Sequence, residues 1–581
     1  MDNILESLYN KWFSNPSIWF GCEKQIDQEI TNEYDKYIET SYNLEEIISN
    51  KNQSIGLIIL YDQIIRHINR IFNNKYSIQI YNEKAIEISK QVFLIYSNSL
   101  NPDEFAFVML PYRHSKVSEN IFMVLQETWK QIENNSKAKD LLQSSDEEII
   151  YHQTKIIENN EIKYKRFLKA TYEKYIEQVD DSSNLVLYDI IQDKITLDIN
   201  EYLDVLDNKC IDFMQNKILS FDYIKLKDEL SNNFISNFET IKQIQNIFPL
   251  VLSISGGVDS MITSYILANN KIPFVCVHIN YFNRAESMKE EQFVISWCKM
   301  LKVPLYVRRI EEINRPKCMK YGLRELYENY TRDIRYQSYI NGVNSIPNVI
   351  LGHNQDDCFE NIITNVANKS KYENLYGMEN VTEISYKQTS INFLRPMLTI
   401  SKAQIYQFAI KYDIPYLFDS TPKWSQRGKI RDIVRPILHE FNNNLVDGIF
   451  ELQSILKESL EMVDILSNSW YEKIIENPNK KSIDKKLDII KTSQKQIYQV
   501  FSIEIIPEKI ITSKIFWKNL FVKLNIKVSS KSLNEYTYKL IKIKNNIILM
   551  ELNKLEKYQI NSNQQIKFLK NKSNNLIIEF D

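Results

Sequence analysis

The chain has 581 residues, of which 44% are hydrophobic and 25% charged, and its net charge is −2 at pH 7. That composition is ordinary for folded globular protein, and it excludes a mainly disordered, collagen-like or membrane-embedded chain. The near-neutral balance sets up no global field for a polyanion, and the length predicts about four domains, or two large ones with extensions.

Residues 1–135 read as an all-helical domain, because apolar positions in ILESLYNKWF and IGLIILYDQIIRHINRIF recur every three or four residues. Asn101-Pro102-Asp103-Glu104 has the form of a helix start, with proline in the first turn. Residues 136–235 are charged and mostly helical in pattern, with a soft break at Asp180-Asp181-Ser182-Ser183-Asn184, and read as a helical bridge. The texture changes at residue 248. FPLVLSIS, FVCVHIN, PLYVRRI and NVILGH are strand-like, and the helix-like runs MITSYILANN and EEQFVISWCKML separate the first three. Alternating strands and helices predict an α/β domain with a doubly wound parallel sheet over 236–440. Residues 441–581 open with an acidic amphipathic helix over 445–475. They continue with a helix, FWKNLFVKLNI, and strand-like runs, NNIILMEL, QQIKFLK and NLIIEF, as a mixed α+β region. Residues 491–581 hold 16 Lys/Arg against 7 Asp/Glu, so this basic end carries +9 and the other 490 residues −11. Such a basic end suits local contact with a polyanion.

The six cysteines (22, 210, 276, 298, 318, 358) include no C-x-x-C pair, which removes the usual zinc-ribbon and iron–sulfur signatures. The N-terminus lacks a signal-peptide pattern and no apolar run reaches 18 residues, so a cytoplasmic protein with no membrane contact is expected.

Glycine is scarce, with 10 in the whole chain. Two of them are adjacent in Ser255-Gly256-Gly257-Val258-Asp259-Ser260, between a strand and a helix. Glycines let backbone N–H groups approach an anion, and the positive end of the following helix points at the same place. The loop therefore reads as a phosphate cradle, and it lacks the lysine of the Walker loop. SGGVDS after an apolar strand resembles the PP-loop of the N-type ATP pyrophosphatases. The residues that follow are similar to tRNA(Ile)-lysidine synthases. His278, Asn280 and Arg284 match H-x-N-H-G-L-R, with Tyr281 in place of a second histidine. Glu328 with Thr331-Arg332-Asp333-Ile334-Arg335-Tyr336 resembles E-x-x-x-R-x-x-R-Y. Gly352-His353-Asn354-Gln355-Asp356-Asp357-Cys358-Phe359-Glu360-Asn361 resembles G-H-H-x-D-D-Q-x-E-T. Leu394-Arg395-Pro396-Met397-Leu398 with Ser401-Lys402, then Asp419-Ser420-Thr421 and Arg427-Gly428-Lys429-Ile430-Arg431, stand where that family has R-P-L-L, D-x-[ST]-N and R-N-x-I-R.

The resemblance implies an ATP-dependent ligase of the cytoplasm that adenylates O2 of an anticodon cytidine in tRNA and joins free lysine, with ATP and Mg²⁺ as cofactors. Ser255, Gly256, Gly257, Val258, Asp259 and Ser260 are expected to hold the nucleotide. Asp259 either caps its helix or meets a metal beside the phosphates. Asp356 and Asp357 follow a strand end, where ligands bind in open α/β sheets, and are candidates with Asp259 for metal or base activation. His353 and His278 are candidate nucleotide contacts, each with a structural role as the alternative. Arg332 and Arg335, three apart on a helix, and Arg427, Lys429 and Arg431 are candidate contacts for the RNA substrate. Asn354, Cys358, Asn361 and Gly428 depart from the family pattern and leave the accepted base or amine open. Two other readings stay open: a tRNA thiolase, for which Cys276 and Cys358 are the core candidates, and a non-catalytic RNA-binding protein. The acidic helix and the basic end resemble the family's accessory tRNA-binding region.

The N-terminal third has its own resemblance, to an uncharacterised all-helical, TPR-like family with W-F-G, L-L-D-Q-F-P-R-N and L-P-x-x-H-S in this order. The matching residues are Trp19-Phe20-Gly21, Leu60-Tyr61-Asp62-Gln63 with Arg66 and Asn69, and Leu110-Pro111-Tyr112-Arg113-His114-Ser115. Asp62, Gln63, Arg66 and His114 are candidates for a polar cluster, with a buried structural network as the alternative reading.

Overall fold

The computed structural model describes residues 2–19, 23–142, 147–178, 185–188, 224, 226–244, 248–343, 345–370, 374–417, 426–475, 497–502, 513–523, 556–561, 564–570 and 575–580. The chain divides into two compact units: Met1–Gln355 with Glu379–Asp419, and Asp356–Met378 with Ser420–Asp581.

The first unit begins with helices from Asp2–Ser14 to Glu147–Gln178. Their periodic apolar faces bury Trp12, Ile55, Ile64, Ile68, Phe105 and Val108 in one core. Each such side chain contributes roughly 1.5–3 kcal/mol by leaving water. The predicted start at Asn101 is a full capping box: Asn101 accepts from the Asp103 and Glu104 N–H groups, and Glu104 reaches back to the Asn101 N–H. The same core continues into Ile310, Ile313, Cys318, Tyr321, Tyr330 and Ile334. Tyr172 fastens this joint, accepting from Trp129 Nε1 at 3.0 Å and donating to the Glu312 carbonyl at 2.9 Å.

The sheet of the first unit has seven strands: β1 (Leu185–Tyr188), β2 (Leu250–Ser253), β3 (Val275–Asn280), β4 (Leu305–Arg309), β5 (Asn348–Ile350), β6 (Val381–Tyr386) and β7 (Thr389–Leu394), in the order β1-β4-β3-β2-β5-β7-β6. The inner five are parallel, and β1 and β6 run antiparallel at the edges. Short apolar runs make these strands because the inner ones are covered on both faces; Val251, Leu252, Cys276, Val277 and Val349 are fully buried. The chain steps from β2 outward to β3 and β4, then returns to the other side of β2 with β5. The ends of β2 and β5 therefore form the switch point of the sheet.

Two features differ from the sequence expectation. The segment read as helical bridge contributes a strand, β1, paired with β4 in register Leu185↔Arg308 to Tyr188↔Leu305. A hairpin, β6–β7, lies in a stretch given no element. Tyr386 pairs with Thr389, and Lys387 in the two-residue turn has φ 52°.

In the second unit the helix Leu445–Ile475 is followed by Lys514–Lys523, which buries Phe516, Trp517 and Leu520. Strands β8 (Ile497–Ser502), β9 (Glu556–Asn561), β10 (Gln564–Lys570) and β11 (Asn575–Phe580) form an antiparallel sheet ordered β8-β11-β10-β9. The runs QQIKFLK and NLIIEF are strands as read; NNIILMEL, the 180–184 break and Asp419-Ser420-Thr421 lie outside the described residues. Among the described residues no helix is long and apolar enough to cross a membrane.

Candidate functional site

The SGGVDS loop leaves the end of β2 and enters the helix Val258–Asn269, so the first N–H groups and positive end of that helix lie at the loop. Gly256 has φ +83°, and an added Cβ would stand 2.5 Å from Leu417 Cδ1; only glycine fits this turn. The Gly256 carbonyl accepts from the Leu417 N–H at 2.9 Å, which pins the loop from outside. Ser260 Oγ accepts from the Ser255 N–H at 3.2 Å and donates to the Gly257 carbonyl at 3.0 Å. Ser255 Oγ accepts from the Gly257 N–H at 3.3 Å, and Ser255 itself is exposed. The Val258 side chain is buried in the core, so only its backbone is offered at the loop.

Asp259 does not cap its helix, whose N-cap is Gly257. Its carboxylate accepts from Asn354 Nδ2 at 3.0 Å and from Lys402 Nζ at 2.6 Å. These partners come from the end of β5 and from the first residue of the helix Lys402–Lys411, so three segments converge at the switch point. Gly352 makes the approach possible: an added Cβ would lie 2.9 Å from Asp259 Cβ and 3.2 Å from the Ser260 nitrogen. Asn354, 1% exposed, stands where the motif has histidine. Sequence reasoning assigned no role to Asn354 or Lys402. The signal was membership of the motif blocks, Asn354 in the block 352–361 and Lys402 after the capping-box serine Ser401.

His278 is buried, and Nδ1 donates to the Ile254 carbonyl at 2.9 Å, just before the loop. Burial lowers its pKa, with the carbonyl bond and Glu291 acting against it, so the ring is held neutral. His353 Nδ1 accepts from Arg395 Nε at 3.1 Å, which fixes the Nε2–H tautomer. Arg395 is itself anchored to the Glu379 carbonyl and Thr382 Oγ1, both at 2.9 Å. Arg332 is exposed and donates to Asn329 at 2.6 Å, whereas Arg335 is half-buried beside Tyr281, Tyr336 and Tyr339. The structure gives the two arginines different surroundings.

Asp356 and Asp357 belong to the second unit, where each meets an arginine: Arg435 on Asp356 and Arg427 on Asp357. Glu360, 2% exposed, accepts from Arg427 Nε and Arg431 Nε, both at 2.8 Å. The basic strip is thus partly neutralised, and Lys429 between its two arginines is exposed. Cys276 is fully buried, and burial beside Cys298 raises its thiol pKa well above the ordinary value. Cys358 is also buried, with Gln453 Nε2 donating to its sulfur at 3.3 Å. Neither is an accessible thiolate of the kind that carries sulfur.

Among the described residues no group of three His, Cys, Asp or Glu could cage a metal. Mg²⁺ commonly takes one or two carboxylates together with water and substrate phosphates, and Asp259 suits that smaller donor set. The Lys402 ammonium on Oδ2 shows that this carboxylate already accepts a compact cation.

The PP-loop domain family matches residues 230–440, and a family of bacterial proteins of unknown function matches residues 8–168. The tRNA(Ile)-lysidine synthase of Chlamydia muridarum is 30% identical over 252 residues, covering 41% of this chain and 75% of the relative. That of Chlamydia trachomatis serovar D is 26% identical over 298 residues, covering 49% and 89%. That of Mesoplasma florum is 29% identical over 314 residues, covering 52% and 73%. With the loop, the switch-point crevice and these relatives in agreement, the chain belongs to the tRNA(Ile)-lysidine synthase family of PP-loop proteins.

Proposed function

We propose that the chain is an ATP-dependent ligase that modifies an anticodon cytidine of tRNA with lysine. O2 of the base attacks the α-phosphate of ATP and pyrophosphate leaves. The ε-amine of lysine then attacks C2, the C2–O2 bond breaks, and O2 departs on AMP. Adenylation turns a poor leaving oxygen into a good one, so one hard substitution becomes two easier ones.

The observation that carries this reading is the crevice in which the Gly256 turn, Gly352 and Asp259 meet. There the loop N–H groups and Ser255 suit the departing pyrophosphate, stabilising charge as it develops. Asp259 would be the residue to hold Mg²⁺, which when bound supplies positive charge against the phosphates. Lys402, already on Asp259, can turn to phosphate oxygens because its side chain is a quarter exposed. The neutral His278 behind the loop supports its backbone through Ile254. Lys429 and the basic end suit the RNA backbone.

The test is tRNA-dependent exchange of pyrophosphate into ATP, which Asp259→Ala should abolish. The companion measurement is mass spectrometry of bulk tRNA incubated with protein, ATP and lysine, where cytidine should gain the mass of lysine less water. A wild-type protein that gives no exchange with any tRNA would sink the proposal.

A further inference from the structure

The helical domain holds a polar cluster that the ligase reading does not use. Asp62 sits on a π-helical turn, Leu60–Ile64, a wide turn often found at functional sites. Its side chain is 1% exposed. The carboxylate accepts from His114 Nδ1 at 2.9 and 3.0 Å, from Arg66 Nη2 at 3.1 Å and from Gln63 Nε2 at 2.5 Å. Asp62 therefore fixes the imidazole ring and commits its Nδ1, leaving Nε2 as the ring's other nitrogen.

More cationic capacity is gathered here than Asp62 consumes. Arg66 Nε is buried and has no hydrogen-bond partner. Arg113 adjoins His114 and lies near both Asp62 and Arg66. Its guanidinium stacks 5.0 Å from the Phe167 ring centroid, and among the described residues it has no hydrogen bond or ion pair. Burial pushes the Arg113 guanidinium down to about 10, with Asp62 acting against that shift and Arg66 adding to it. Two guanidiniums against one carboxylate leave an uncompensated positive charge on side chains that are only partly exposed, a setting that favours an anion. A ring face offsets only part of it.

We propose that Arg66, Arg113 and His114, organised by Asp62, form a binding site for a phosphate group. Guanidinium donors from two helices, with His114 Nε2 left to accept from a phosphate P–OH, suit the terminal oxygens of a phosphate monoester or free phosphate better than a carboxylate, which has no hydroxyl to offer when ionised. The side chains of Arg66 and His114 are 28% and 20% exposed, so an ion can reach them from solvent. A purely structural role competes with this reading. Arg113 and His114 close the helix Pro102–His114, where basic groups offset the negative helix end. That role explains neither the unpartnered Arg66 Nε nor the convergence on Asp62. The proposal rests on no property of the PP-loop.

The test is hydrogen exchange by mass spectrometry on the full chain, with increasing inorganic phosphate. Peptides over 60–70 and 108–116 should gain saturable protection, while peptides over 254–262 report the PP-loop as an internal control. Arg113→Gln should weaken the first effect by about tenfold or more and leave the second in place. Arg66→Lys keeps the charge but removes the Nε donor, and carries the test if Arg113→Gln misfolds; it should weaken protection several-fold. A nucleoside 5′-monophosphate and a 5′-phosphorylated oligoribonucleotide, used in place of phosphate, distinguish a small ligand from an RNA end. Absence of phosphate-dependent protection at 60–70 and 108–116, equal protection by acetate, or full protection in both variants overturns the proposal.

Discussion

Asp27 and Asp259 are first-turn aspartates that both meet a cation, and they differ in how far the carboxylate is enclosed. Each lies in the first turn of a helix, Lys24–Tyr34 and Val258–Asn269, and neither caps it. Asp27 has a side chain 5% exposed, bonded to His67 Nδ1 at 2.6 Å and to Arg70 through Nε at 2.7 Å and Nη2 at 2.6 Å. Burial pushes its carboxyl up, but the bonds to Arg70 and His67 outweigh that and hold it below the usual range. Asp259 is 26% exposed, and its cation is a flexible lysine, also 26% exposed. A carboxylate open to solvent can exchange its cation for a ligand at little cost, whereas an enclosed carboxylate that loses its partners is left unsatisfied. The same residue type in the first turn of a helix is enclosed in one domain and open to solvent in the other, and burial of the carboxylate itself, not of its cation, separates the two.

The crossed substitutions should break that comparison or sharpen it. Asp259→Asn keeps the size of the side chain and removes the charge. Exchange activity should fall by about 100-fold or more, the scale of a lost charge-stabilising group. Its unfolding midpoint in urea should hardly move, since an exposed pair contributes about 0–1 kcal/mol. Asp27→Asn removes the charge that holds the enclosed His67 and the part-exposed Arg70, and should cost roughly 1–3 kcal/mol, read as an earlier unfolding transition. If Asp259→Asn proves the more destabilising of the two, the division drawn here is wrong. Gly352→Ala tests the crevice with no charge change. Its new methyl would meet Asp259 Cβ at 2.9 Å and the Asp259 carbonyl carbon at 3.1 Å, inside a helical turn that cannot yield freely. A displacement of a few tenths of an ångström at a reacting site should lower exchange by about tenfold. Exchange at the wild-type rate would mean that the loop tolerates the shift.

The contrast also explains what was legible beforehand. The SGGVDS turn announced itself because a glycine-poor chain keeps two glycines where one φ is +83°. The inner parallel strands were legible as short apolar runs, because burial on both faces demands them. The β6–β7 hairpin carried a readable alternation in VTEISYKQTSINFL, but its turn uses Lys387 and Gln388 rather than the usual Asn-Gly. β1 has four residues and joins the edge of the sheet beside β4, a pairing that no local pattern dictates. Lys402 and Asn354 reach Asp259 across 143 and 95 residues of sequence, so these contacts come from topology and not from local pattern. The basic strip read as a candidate RNA contact has Arg427 and Arg431 on Glu360, a partner that spacing could not reveal.

The smallest expected effect compares the two regions through their buried histidines. His67 in the helical domain and His278 behind the PP-loop both have lowered pKa values, burial being the largest cause in each. A folded-state pKa below the unfolded value means that the unfolded chain takes up the proton first as pH falls. Stability is therefore full above about pH 6.5, the ordinary histidine value, and declines as pH drops below it. Carboxylates such as Asp27, whose pKa is also lowered, add their loss only as pH falls below about 4, so the two windows separate. His278→Asn places an amide nitrogen where Nδ1 donates to Ile254 and removes the titration. The slope of unfolding free energy against pH between about 5 and 7 should become shallower by up to one proton. The part owed to His67 should persist in that variant and vanish with His67→Asn. An unchanged slope in His278→Asn would mean that this ring is not kept neutral by burial, and that the loop rests on a titrating support.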